Sequence, residues 1–184
     1  MIDRDDYTRE QLEGVDAMVT NLRGVAIGIR TADCLPVFLY DPVNHAIGAA
    51  HSGWRGTINK IANWTIRAMA LNYGSKPKDL IAVVGPGIGA DAFQVGEEVA
   101  QLFKQSGFPV DRIWSFRGPR TEGSMAGGHH IDLHEVVKIT LTESGIPEEN
   151  IHMTGICTYQ NEEFFSARRE GRECGRIINS IKLI

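Results

Sequence analysis

Apolar residues in this chain come in short clusters separated by glycine, proline and asparagine turns, and their spacing changes along the chain. Residues 24–30 alternate weakly, 35–40 and 46–50 are apolar, and Asp41-Pro42-Val43-Asn44 separates the last two, which predicts three strands and a turn. Beyond Gly53-Trp54-Arg55-Gly56 the period becomes helical: Ile58, Ile61, Ala62, Thr65 and Met69 share one face, with Thr57 as expected N-cap and Gly74 as stop. Residues 80–84 are short and β-branched and run into Gly85-Pro86-Gly87-Ile88-Gly89, the pattern of a buried strand ending in a tight turn. Val95, Val99, Leu102 and Phe103 mark a second helix ending near Gly107, and residues 113–116 a brief strand. Residues 117–128, rich in glycine and charge, are expected to form a long mobile loop. Asp132 is the expected cap of a third helix carrying Leu133, Val136, Val137, Thr140 and Leu141, with Gly145 past its end. Residues 151–157 read as a strand, 161–176 as a polar, arginine-rich segment, and 177–184 as a final strand. Strands and helices mix without one βαβ period, so the expected class is α/β or α+β in packed layers.

Composition narrows the function. The chain has 184 residues, enough for one domain with a single core and no need of disulfide staples. Its 19 Lys+Arg against 23 Asp+Glu, a formal charge of -4, argue against a generic nucleic-acid binder. No apolar run approaches the roughly 18 residues of a membrane span, and the charged start is unlike a signal peptide, so a cytoplasmic protein is expected. Three cysteines, at 34, 157 and 174, make neither a CxxC pair nor an even framework.

The chemistry concentrates around Thr31-Ala32-Asp33-Cys34-Leu35-Pro36 and His51-Ser52-Gly53-Trp54-Arg55-Gly56-Thr57. Cys34 opens one predicted strand and His51 closes the next, so an antiparallel hairpin places both at the same end. A thiolate and an imidazole there can share a zinc ion, of which they supply two ligands, or act as nucleophile and base. Taken singly, Cys34 reads as a small buried side chain and His51 as structural; the neighbouring residues favour a site. Glycines permit close backbone approach, Trp54 offers a stacking face, and Arg55 adds a fixed charge suited to an anion such as phosphate. Gly85-Pro86-Gly87-Ile88-Gly89-Ala90 fits G-x-G-x-x-A, but Gly96 interrupts the segment behind it, so a turn shaping a pocket wall is the better account. Phe164, Phe165, Arg168 and Arg169 form either a loop anchor with a solvated basic face or the second side of an anionic pocket, with Arg168 on phosphate. His129, His130 and His134 read as loop and cap residues, and Cys174 as a thiol without function.

The elements Thr31 to Pro36, Ala50-His51-Ser52-Gly53-Trp54-Arg55-Gly56-Thr57, Val84-Gly85-Pro86-Gly87-Ile88, Ile131-Asp132-Leu133 and Cys157-Thr158 with Phe164 to Arg169 resemble, in this order, the signatures of the YfiH/YlmD/FAMIN family. That family also carries the label polyphenol oxidase or laccase domain. The resemblance implies a YfiH-like layered αββα-type sandwich with mixed sheets. It implies phosphorolysis of adenosine, inosine and S-methyl-5'-thioadenosine with inorganic phosphate as co-substrate, together with adenosine deamination. It also implies a metal, zinc with copper as the alternative, held by two histidines and a cysteine, of which Cys34 and His51 match two. The third, a histidine upstream of Asp16-Ala17-Met18-Val19-Thr20, has no counterpart, since no histidine precedes His45. Family members are longer, so the chain is expected to lack N-terminal strands. In this reading Arg55 and Arg168 hold phosphate, Trp54 lines the substrate site, and Asp33 is the proton shuttle for deamination. Partners are then purine nucleosides, with no nucleic acid or membrane, and a homo-oligomer is allowed. Three other functions stay open: a metal-free Cys-His hydrolase or deamidase, a copper phenol oxidase, and an inactive purine-binding or partner module.

Overall fold

The apolar segments on either side of the 41–44 turn pair as a hairpin, β3 (Leu35–Asp41) against β4 (Ala46–Ser52). Asp41 sets the turn: its carboxylate accepts the amide protons of Val43 at 2.9 Å and Asn44 at 3.0 Å. The register then runs from Asp41↔Ala46 at the turn to Leu35↔Ser52 at the open end. The computed structural model describes residues 1–4, 7, 8, 10–118 and 128–184. Three more strands extend the hairpin into a five-stranded sheet. β1 (Ala17–Thr20) lies antiparallel beside β4, β5 (Ile81–Val84) antiparallel beside β3, and β9 (Ile151–Met153) parallel beside β5, giving the order β1-β4-β3-β5-β9.

Both faces of this sheet are apolar, and each is covered differently. α2 (Ile61–Tyr73) and α5 (Leu133–Glu143) bury Ala62, Ile66, Met69, Val136, Val137 and Leu141 in one cluster with Val37, Leu39 and Val84. A fully buried side chain such as Leu39 contributes about 1.5–3 kcal/mol. Gly48 lets α2 close on the sheet, since a Cβ there would sit 3.0 Å from both Met69 Sδ and Thr65 Cγ2. On the other face, β2 (Ala26–Thr31) and β10 (Ile177–Lys182) form a two-stranded ribbon whose Ile27 and Ile29 meet Ile47 and Ala49. A third sheet, β6 (Gln94–Val95), β8 (Gly128–Ile131) and β7 (Trp114–Arg117) in that spatial order, stands beside α3 (Glu97–Gln105). The mixed α/β class with mixed sheets is the expected one.

Several expectations need correction. Thr57 does not cap the long helix; it lies inside a separate short helix, α1 (Trp54–Ile58), and its hydroxyl bonds back to the Gly53 carbonyl at 2.9 Å. The break comes at Asn59 and at Lys60, whose φ of 54° starts α2 from a left-handed residue. Gly74 does stop α2, with φ 71°. Val95 belongs to β6, and Leu102 is exposed. Ile113 belongs to the helical turn α4 (Val110–Ile113). His129 and His130 are strand residues of β8, because Trp114 Nε1–H donates to His129 Nδ1 (3.0 Å) and His130 Nδ1 meets the Ala90 carbonyl (3.1 Å). Asp132 caps α5 as expected, accepting the Glu135 amide at 3.0 Å. The strand at 151–157 ends at Met153, and Cys157 rejoins the fold by a bridge to Gly87 and by the Gly89 amide, which donates to its Sγ at 3.2 Å. Of the loop expected at 117–128, the ends are strand, and residues 119–127 lie outside the described residues.

Candidate active site

Because β3 and β4 pair antiparallel, Cys34, just ahead of β3, and His51, near the end of β4, meet at the open end of the hairpin. Gly53 lies between them. A Cβ on Gly53 would stand 3.1 Å from Cys34 Sγ and 3.8 Å from His51 Nε2, so thiol and imidazole face one small gap that only a glycine leaves free. His51 Nε2 is buried and has no hydrogen-bond partner among the described residues. Such an atom ordinarily costs about 1–3 kcal/mol unless something pairs with it.

The other ring nitrogen is engaged. β1 runs beside β4 with Ala17 opposite Ala50, which brings Asp16 next to His51. The Asp16 carbonyl accepts the His51 amide at 2.7 Å, and its carboxylate lies 3.6 Å from Nδ1. A carboxylate behind one imidazole nitrogen turns the other toward a ligand. Asp16 is the residue that sequence reasoning missed: residues 16–20 served there only as a family element downstream of the absent histidine, and only the β1–β4 pairing brings Asp16 beside His51.

The Cys34 thiol is pushed up to about 11, by burial first and then by the negative charges of Asp33 and Asp16. Asp16, Cys34, His51, Gly53, Trp54, Arg55 and Gly56 line a cavity of about 290 Å³. Arg55 lies over the Trp54 ring, 4.3 Å from its centroid, so one face of the indole carries the arginine and holds its fork at the cavity wall. His51 also borders a groove of about 800 Å³ between the N-terminal segment and β2, lined by Tyr7, Leu12, Met18, Ile29 and Arg30. A further cavity of about 350 Å³, against Phe38, Tyr40, Ile47 and Val83, contains none of the Cys34–His51 cluster.

An unpaired buried imidazole nitrogen and a thiol facing one gap, with the Asp16 carboxylate behind the imidazole, suit a cation. Cys34 and His51 are the pair that would hold it, filling two positions of a tetrahedral zinc. Among the described residues no group of three His, Cys, Asp or Glu has the geometry of a metal site.

The other two predicted residues point elsewhere. Asp33 is buried, with φ 84°, a conformation that costs about 1–3 kcal/mol. Its carboxylate accepts the Thr158 hydroxyl at 2.7 Å and the Arg168 amide at 2.6 Å, and it does not line the cavity. The Arg168 guanidinium donates to the carbonyls of Ala92 (3.2 Å) and Gln94 (2.9 Å), in a separate recess with Gly96 and His129. Arg169 is no part of a solvated face. It donates to the carbonyls of Thr158 and Tyr159 at 2.9 Å and of Phe164 at 2.6 Å, which knots the segment before α6 (Ala167–Glu170). His134 and Cys157 line another cavity, of about 260 Å³, and burial holds the His134 imidazole below its ordinary range.

The chain belongs to the family described as multi-copper polyphenol oxidoreductase laccase, whose model matches residues 2–184. It is 42% identical over 176 residues to a purine nucleoside phosphorylase of Bacteroides thetaiotaomicron, covering 95% of this chain and 63% of that one. It is 38% identical over 177 residues to adenosine deaminase RL5 of an unknown prokaryotic organism, covering 96% and 65%. Among solved structures, the Bacillus licheniformis hypothetical protein YfiH superposes with a TM-score of 0.82 at 32% identity, covering 92% of this chain and 61% of that one. The chain thus spans under two thirds of the length of these relatives. Among the described residues no helix is long and apolar enough to cross a membrane.

Proposed function

We propose, from family membership and the Cys34–His51 cavity, that this chain carries a purine nucleoside phosphorylase site that also deaminates adenosine. The observation that carries the reading is the orphaned His51 Nε2 facing Cys34 beside Arg55. The relatives named purine nucleoside phosphorylase and adenosine deaminase support it.

In phosphorolysis an oxygen of phosphate forms a bond to the ribose anomeric carbon as the C1'–N9 bond breaks. The bond's electron pair leaves with the purine, which takes up a proton, and the products are free base and ribose 1-phosphate. Arg55, held over Trp54, is suited to bind the phosphate through two parallel N–H bonds and to orient it for attack. Asp16 keeps the His51 imidazole in place. The sugar and base fit the wider groove that His51 shares with Tyr7, Met18 and Arg30. Zinc, with copper as the alternative, would be held by Cys34 and His51 and would supply Lewis acidity for deamination. Adenosine, inosine and S-methyl-5'-thioadenosine are the proposed substrates. Three free cysteines suit a reducing compartment, so we place the protein in the cytoplasm.

Two competing readings fare worse. A metal-free Cys-His hydrolase needs a thiolate near neutral pH, whereas burial and two carboxylates push Cys34 up to about 11. Multicopper oxidation needs many histidine ligands, and the whole chain has six histidines.

The test is incubation of the purified chain with inosine and phosphate, following hypoxanthine and ribose 1-phosphate. Both should form, and Cys34→Ala and His51→Ala should abolish them. No hypoxanthine, or full turnover in both variants, would sink the proposal.

A further inference from the structure

Asp33 stands one residue before Cys34, and no other non-glycine residue with positive φ among those described touches the site. Its conformation is held from three directions. The Asp33 carbonyl accepts the Ile88 amide at 2.8 Å, its Oδ1 accepts the Thr158 hydroxyl at 2.7 Å, and its Oδ2 accepts the Arg168 amide at 2.6 Å. Thr158 is fully buried and is itself fixed, since its amide donates to the Gly87 carbonyl at 3.0 Å. The Gly85-Pro86-Gly87 turn lies flat on the 33–36 segment: a Cβ on Gly85 would stand 2.7 Å from Pro36 Cγ, and one on Gly87 would collide with Leu35. The turn and the 157–168 segment therefore close around the one stretch of backbone that presents Cys34.

Resting on the reading of Cys34 and His51 as the working pair, we infer that Asp33 is a positioning residue, not a proton carrier: with Thr158 and the Arg168 amide it fixes the turn that aims Cys34 at His51. A proton carrier must reach the substrate, and both carboxylate oxygens of Asp33 are bonded inside the fold, away from the cavity. Asparagine can do the same work. It tolerates positive φ, its carbonyl can accept the Arg168 amide, and its NH₂ can donate to the Thr158 hydroxyl, which accepts as well as donates. Alanine can do neither.

The test compares Asp33→Asn, Asp33→Ala, Thr158→Val and Thr158→Ser in the full chain. It reads kcat and KM for inosine phosphorolysis, the rate at which iodoacetamide labels Cys34 by peptide mass, and thermal midpoints. Asp33→Asn should keep kcat within about threefold, whereas Asp33→Ala should lose about a hundredfold, mostly in kcat. Thr158→Val, which leaves every charge in place, should speed Cys34 labelling about tenfold, the equivalent of one lost hydrogen bond, and Thr158→Ser should stay within about twofold. If Asp33→Asn falls as far as Asp33→Ala, the acid itself is needed and the inference is overturned. Labelling of Thr158→Val at the parent rate overturns it too. Should Asp33→Ala fail to fold, the Thr158 pair and Asp33→Asn decide. A parent chain that releases no hypoxanthine refutes the phosphorylase reading, and the labelling arm then judges the positioning role alone.

Discussion

Replacing Gly53 by alanine separates what the fold needs from what the site needs. Gly53 has φ -69° and ψ 166°, an extended conformation that alanine adopts without strain. The new methyl group would lie 3.1 Å from Cys34 Sγ and 3.8 Å from His51 Nε2, so the thiol must yield by a few tenths of an ångström while the imidazole is undisturbed. Against that small repulsion stands the reduced freedom of the unfolded chain, a gain of about 0.4–1 kcal/mol. Folding stability should therefore change by less than about 1 kcal/mol, which for a chain of this size is a midpoint shift of about 2–4 °C. Activity should respond differently, because the methyl group occupies the gap in which sulfur and nitrogen face a common ligand. Filling that gap should cost about a hundredfold in rate, the scale of a misplacement of about 1 Å between reacting groups. The assay pairs thermal unfolding with inosine phosphorolysis on the same preparation. Activity within about threefold of the parent would mean that nothing has to stand between Sγ and Nε2, and the reading of the gap as the working centre would be wrong. A midpoint drop beyond about 8 °C would refute the packing argument instead.

Other substitutions probe the surroundings. Arg55→Ala should raise KM for phosphate about 10–100-fold with little change for inosine, in initial-rate kinetics, since a charge-assisted pair is worth about 1.5–3 kcal/mol; an unchanged phosphate KM would remove Arg55 from the phosphate site. Arg169→Ala leaves four carbonyls of the 158–164 segment without this donor and should lower stability by about 2 kcal/mol, a midpoint loss of about 4–8 °C; a shift under about 1 °C would contradict it. At Asp41, burial raises the carboxyl pKa, but hydrogen bonds from Asn44 and Val43 outweigh it and hold the group below its ordinary value. The stabilisation this lends is complete above the unfolded value and is lost as pH falls through the folded one, so urea midpoints should fall below roughly pH 4 and Asp41→Asn should flatten that slope; an unchanged slope would refute the linkage.

The meeting of Cys34 and His51 was legible in the chain because it depends on local information. Short apolar runs on both sides of an Asp-Pro-Val-Asn turn predict an antiparallel pair, and the turn residue Asp41 fixes its register. Asp16 was not legible, since its link to His51 comes from β1 joining the sheet from outside the hairpin, and no local pattern says which strand lies beside β4. The arginines show a different limit. Their number suggested an anion, yet Arg168 points at the carbonyls of Ala92 and Gln94, and Arg169 at those of the irregular 158–164 segment, whose main-chain oxygens need donors. The cap misassigned to Thr57 has a similar cause: its hydroxyl has a nearer acceptor at Gly53, one turn back.

The site is where this fold is least satisfied. A left-handed aspartate and a buried nitrogen without a partner among the described residues each oppose folding, and they fall close to one another in space. Such a cluster persists only if its neighbours over-determine it, and they do. The Gly85–Gly87 turn closes on Pro36 and Leu35, Thr158 and the Arg168 amide hold Asp33, and the Arg169 guanidinium holds the segment carrying Thr158. The Arg168 amide and the Arg169 guanidinium, from the segment that first looked like a second binding surface, thus support the stretch of backbone that presents Cys34. On the proposed reading, the group that would pair with the His51 nitrogen is a positively charged or proton-donating ligand in that gap. Any such ligand stabilises the folded chain in proportion to the logarithm of its concentration over its dissociation constant. The unpaired His51 nitrogen and the affinity proposed for the gap are therefore two sides of one unmet hydrogen bond.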